Sequence, residues 1–171
     1  MPADFQWSES NGVGEVETTP LANLNFGSID IPELDPNTYP IGIVEGVSGG
    51  NSYYKYIRGL FTIETGLESI ISNIRFWKYS GNYVTGESGK GLNNISYLTP
   101  SPEVIPGDVS IPITEETAWY LQSAEGEDTI ETGVSGISGY TKYIRLQLRF
   151  TVDTLAGAVN SKTFIIQYDE M

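Results

Sequence analysis

At 171 residues and 18.7 kDa the chain is long enough for one domain that buries about two thirds of its unfolded surface. It has no histidine and no cysteine, which excludes a Ser-His-Asp triad, histidine-ligated zinc, disulfides, thiolate nucleophiles and iron–sulfur clusters. Its 22 acidic and nine basic residues, net −13, argue against nucleic acid or an anionic membrane as partner.

Eighteen Ile against six Ala, with 15 Thr and 11 Tyr, favour pleated strands over helices. The opening MPADFQWSESNGVGEVETTP has no basic region and no apolar run, so no signal peptide is expected. No stretch is long and apolar enough to span a bilayer. Together these predict a chain made and dissolved in a cytoplasm.

Residues 1–20 hold Gly12, Gly14 and Pro20, with Phe5 and Trp7 as isolated apolar anchors, and read as an extended arm. Residues 21–171 read as a single domain of short strands. The predicted strands are Tyr39–Val44, Tyr53–Glu64, Ile70–Tyr79, Asn94–Leu98, Val109–Ile113, Thr117–Ser123, Thr129–Val134, Thr141–Asp153 and Lys162–Tyr168. Gly-, Pro-, Asn- and Ser-rich breaks such as VSGGNS, YSGNYVTGESGKG, TPSPEVIPGD and SGISG separate them. Short strands at roughly 8–15-residue spacing, with no long helical period, predict an all-β fold. The expected architecture is an antiparallel β-sandwich of jelly-roll or Ig-like type, carrying the arm at its N-terminus.

The cleanest strand is 142–153. Ile144, Leu146, Leu148, Phe150 and Val152 share one face, and Arg145, Gln147, Arg149, Thr151 and Asp153 share the other. One face is then core and the other wet or against a partner, so Leu148→Asp should unfold the chain. Arg149→Asp should cost only about half a kcal/mol. Thr114–Ala124 is compatible with a short helix capped by Thr114, but the β-prone Trp119–Leu121 favours strand. Lys55-Tyr-Ile-Arg58 and Lys142-Tyr-Ile-Arg145 are identical, and each precedes a Phe-Thr-aliphatic-acid-Thr run, Phe61–Thr65 and Phe150–Thr154. The pair is expected to form equivalent strands near the centre of the sandwich.

Charge is segregated. Residues 1–54 and 91–141 each hold eight acids and no base, so all bases fall in 55–90 and 142–162. Basic strands and acidic loops suit docking against copies of the chain or an asymmetric partner. Arg58, Arg145 and Arg149, with Phe5 and Trp7 of the arm, are the candidate partner contacts.

Chemistry beyond contact finds little footing. Glu115-Glu116 and Glu125-Gly-Glu127-Asp128 sit in turn-like sequence, where acids are usually solvated; neither makes a glycosidase pair, and no spacing matches a calcium loop. Gly49-Gly50 and the Gly86–Gly91 run read as turns, not phosphate loops. Trp7, Trp77, Trp119 and Tyr53-Tyr54-x-Tyr56 could stack sugars, but read better as core and sheet-edge residues. No catalytic residue, cofactor or metal ligand is expected.

The ending carries Tyr143-Ile-Arg-Leu-Gln-Leu, Ala156-Gly-Ala and Lys162-Thr-Phe-Ile-Ile-Gln-Tyr-Asp-Glu170. With the opening Phe5-Gln-Trp-Ser-Glu-Ser-Asn and with Ile74-Arg-Phe-Trp, it resembles virion structural proteins of tailed phages. That resemblance implies a non-enzymatic subunit of the virion, made in the host cytoplasm. Capsid decoration or a head-associated β-sandwich is the leading role. Its partners would be other virion proteins or neighbouring copies of itself, in a homo-oligomeric or multi-copy assembly without nucleic acid or membrane. A tail or neck protein is the alternative, as is a carbohydrate-binding module used in host attachment.

Overall fold

Alternation of apolar and polar residues resolves into twelve strands among residues 3–44, 46–62, 69–132, 139–155 and 160–171, the parts of the chain that the computed structural model describes. They form two antiparallel sheets packed together, and the fold is all-β. Numbered in chain order, the larger sheet runs β2 (Val16–Thr18), β1 (Asp4–Asn11), β4 (Lys55–Thr62), β11 (Tyr143–Phe150), β6 (Glu87–Ile95) and β7 (Val109–Ser110). Two short strands join it: β10 (Gly139–Tyr140) pairs with β4, and β3 (Gly50–Asn51) with β11. The smaller sheet is β12 (Thr163–Glu170), β5 (Ser69–Ser80) and β8 (Trp119–Tyr120), with β9 (Thr129–Thr132) also on β5.

The core lies between the sheets. Ile57, Phe61, Ile144 and Leu146 of the large sheet face Ile71, Ile74 and Phe76 of the small one. Phe164, Ile166 and Tyr168, which alternate along β12, close the same layer. Phe76 stacks between Phe164 and Trp119, at centroid distances of 5.6 and 6.1 Å. Each such side chain contributes roughly 1.5–3 kcal/mol on full burial.

Residues 4–18 are a hairpin inside the large sheet, where an arm was expected. β1 pairs with β2 on one side and with β4 on the other, from Asp4↔Thr62 to Ser10↔Tyr56. Phe5 and Trp7 point inward at period 2, at 5.1 Å from Phe61 and 5.9 Å from Phe76. Ser8 and Ser10 on the other side are buried as well, and the Ser10 and Tyr143 hydroxyls hydrogen-bond at 2.8 Å. A polar sequence thus becomes an interior strand because its hydroxyls find partners within the fold.

Other boundaries move for local reasons. β6 lies in the glycine run expected to be turns, where the paired β11 backbone and the Tyr83 side chain leave no room for a Cβ. A Cβ at Gly91 would sit 2.1 Å from the Arg145 carbonyl oxygen, and one at Gly89 would sit 2.1 Å from the Tyr83 hydroxyl. Gly50 likewise pairs with Phe150 in β3. Tyr39–Val44 forms no strand, only a bridge from Val44 to Ser48. Val109–Ile113 shortens to the two residues of β7, and Thr117–Ser123 to β8. A 3-10 turn over Glu115–Thr117 follows the extended Thr114, whose side chain makes no cap. β11 ends at Phe150, which leaves Val152 outside the strand and 41% exposed. The parts of the predicted strands beyond Thr62 and Thr132, Thr65 of the first repeat, most of SGISG and Ala156–Ala158 lie outside the described residues.

The repeated tetrapeptides lie side by side at the centre of the large sheet. Ile57 pairs with Ile144 and Tyr56 with Arg145, so a local two-fold relates the copies.

Candidate functional site

The five candidate contact residues do not assemble into an outward-facing patch. Phe5 and Trp7 pack against the inter-sheet core. Arg145 and Arg149 project from the opposite face of β11, where the strand was expected to be wet or in contact with a partner. The chain's own 96–108 segment covers that face. Ile105 and Tyr97 pack there on the buried Tyr54, Tyr56 and Tyr143, and Gln147 donates to the Ser52 and Pro102 carbonyls at 3.0 and 3.1 Å. Consequently every residue from Tyr143 to Leu148 is buried.

Asp108 is the hub of this covered face. It accepts from Arg145 Nε at 2.7 Å, and from Arg149 and the Tyr54 hydroxyl in tighter contacts. The Tyr54 oxygen in turn accepts from the Ile105 amide at 2.9 Å. Burial, reinforced by the hydrogen bond to Asp108, raises the Tyr54 phenol above its ordinary value. One carboxylate between two guanidiniums satisfies its lone pairs, and both cations are committed.

Two further ion pairs flank the repeat. At one end of the core Lys55 Nζ donates to Glu9 Oε1 at 2.6 Å and to the Ile31 carbonyl at 2.7 Å, with both side chains fully buried. Burial lifts the Glu9 carboxyl above its ordinary value, against the opposing pull of Lys55 and of Asn11. Nearer the surface, Arg58 pairs with Glu17, each about one-fifth exposed. Its guanidinium lies 3.9 Å from the Tyr140 ring centroid and 4.8 Å from that of Tyr143. Burial pushes the Glu17 carboxyl up, but hydrogen bonds from Arg58 and Tyr140 outweigh it and hold it low.

The fully exposed charges are therefore nearly all acidic. None of the nine lysines and arginines is exposed; three are buried and six half-buried. Six of them form ion pairs, while Lys78 donates to the Gly81 carbonyl and Lys90 to the Ser110 hydroxyl. Of the nineteen described acids, thirteen are exposed. Seven of the nine bases sit on strands, and Lys142 and Lys162 lie immediately before β11 and β12, but they turn inward, so the surface is not a mosaic of basic strands and acidic loops. No group of three or more acids among the described residues is arranged to hold a metal ion. Most of the aromatic residues that could stack sugars lie inside, with Tyr53 half-buried. Tyr54 and Tyr56 are fully buried, Trp77 is 5% exposed, and Trp7 and Trp119 pack on the core.

Asp108 and Glu9 are consequential residues that the sequence pattern alone does not mark. Asp108 lies in a proline-glycine break, and its only signal was the four-residue spacing of two arginines on one strand face. No family model, curated protein or solved structure matches the chain.

Proposed function

We propose that this chain is a non-enzymatic structural subunit of a tailed-phage particle. In this reading it is a capsid decoration or head-associated β-sandwich that docks on a cationic patch of another virion protein. The observation that carries the docking mode is the acidic exterior: thirteen of the nineteen described acids are exposed, while every base is buried or half-buried. Such a surface repels its own copies, attracts a basic partner from about a Debye length away, and favours hetero-contact over broad self-contact. The opening, middle and closing runs that resemble tailed-phage proteins support the particle context. A tail or neck position would use the same surface.

The test is co-sedimentation of the purified protein with particles that lack it, at 50 mM and at 500 mM salt. Pelleting that is strong at low salt and much weaker at high salt is the expected result. Failure to pellet at either salt, or pelleting indifferent to salt, would remove the proposal.

A further inference from the structure

A cleft of about 960 Å³ opens between the two sheets. Its apolar floor is formed by the half-buried Trp7 of the large sheet and Phe164 of the small one, with Leu24 and Phe26 from the segment that follows β2. Asn23, Asn25, Asn37 and Asn160 supply neutral polar groups around it. Ligand sites are typically clefts of about 300–1,000 Å³ with apolar linings and a few polar groups.

The charges around the cleft select the class of occupant. Lys162 is its only charged lining residue among those described, and it is committed to Glu87 at 2.6 Å, with side chains 6% and 0% exposed. An incoming anion would meet no free cation inside and thirteen exposed acids outside. An incoming cation would find no carboxylate among the described lining residues. We infer that the inter-sheet cleft binds an uncharged, largely apolar molecule with one hydrogen-bonding end, of the fatty-alcohol or monoacylglycerol kind. The apolar chain lies on the aromatic floor, and the neutral end meets the asparagine amides. This site is independent of the docking surface.

The experiment uses the full chain with N-phenyl-1-naphthylamine, a neutral probe whose emission rises in apolar surroundings, and three ten-carbon competitors. Saturable binding of one probe per chain is expected. Decan-1-ol should displace it at least tenfold more effectively than decanoate or decyltrimethylammonium. Leu155 lines the cleft and is 69% exposed, so Leu155→Asp adds a charge at the mouth without burying it. That variant should weaken probe binding roughly tenfold, the penalty of a charge beside an apolar ligand. Val13→Asp, at an 89% exposed position outside the lining, should leave binding unchanged. Non-saturable probe uptake, equal displacement by the charged competitors, or equal effects of the two variants would overturn the assignment.

Discussion

Lys55-Tyr-Ile-Arg58 and Lys142-Tyr-Ile-Arg145 put the same four side chains on neighbouring strands, yet their charges end in different places. The isoleucines are equivalent: Ile57 and Ile144 pair across the sheet and face one core. The lysines diverge. Lys55 is fully buried against Glu9, whereas Lys142 is half-buried and forms no ion pair among the described residues. The arginines diverge too, since Arg145 lies under the 96–108 segment with Asp108, while Arg58 keeps about a fifth of its side chain in water beside Glu17. Period-2 alternation sets strand and face for both copies. What covers each face is decided by residues far away in the chain, and that cover sets the dielectric in which each charge must be paired.

The strongest way to break the comparison is to remove the cover on the β4 side. Deletion of residues 1–20 takes away Phe5, Trp7 and Glu9 together, exposing core and stranding Lys55 without its carboxylate. The truncated chain is expected not to fold, with its sharp denaturant transition and near-ultraviolet dichroism both lost. A melting temperature close to that of the full chain would mean that β1 is dispensable.

The next largest effect concerns the other copy. Asp108→Ala leaves two guanidiniums under the 96–108 segment with no anion, and breaking a buried pair in this way costs about 3–5 kcal/mol. Urea unfolding should report that loss, against about 0.2–1 kcal/mol for Glu17→Ala at the more exposed pair. Equal losses would show that burial does not distinguish the two repeats.

Arg149 revises an expectation drawn from alternation alone. With β11 buried on both sides, Arg149→Asp removes hydrogen bonds to Asp108 and to the Tyr54 hydroxyl and sets two carboxylates together. The loss should be about 1–3 kcal/mol, where a free surface would give about half of one. Leu148→Asp, at a 4% exposed core position, should remain the worse substitution. Equal midpoints for Arg149→Asp and the unsubstituted chain would return that face to solvent.

These differences mark where the sequence was legible. The repeat, the apolar alternation of β11 and β12, and the all-β class follow from periodicity, which is local information. β1 was not legible, because its two aromatics alternate with serines whose partners, Thr19 and Tyr143, come from elsewhere. β6 was hidden because its glycines answer to the Arg145 carbonyl and the Tyr83 ring across the fold. The surroundings of the candidate contact arginines were hidden for the same reason. An arginine on a strand face looks available until the segment holding Asp108 folds over it.

The smallest expected effect is also the most discriminating, because the acids of the β4 copy should respond to pH in opposite directions. The Glu17 carboxyl is held below its ordinary value of 4.5, so its contribution is complete above that value and is lost as pH falls through the lower folded value. The Glu9 carboxyl is raised above 4.5, so the native state keeps a proton that the unfolded chain has released. Stability from Glu9 therefore declines as pH rises through that window. Urea midpoints measured from pH 3 to pH 7 for the unsubstituted chain, Glu17→Gln and Glu9→Gln separate the two. Relative to Glu17→Gln, the unsubstituted chain should gain stability with rising pH, by no more than about 1 kcal/mol for a partly exposed pair. Relative to Glu9→Gln it should lose stability over the same climb. Parallel pH dependences for the two variants would show that Glu9 is paired as favourably as Glu17, and that full burial costs its carboxylate nothing that Lys55 does not return.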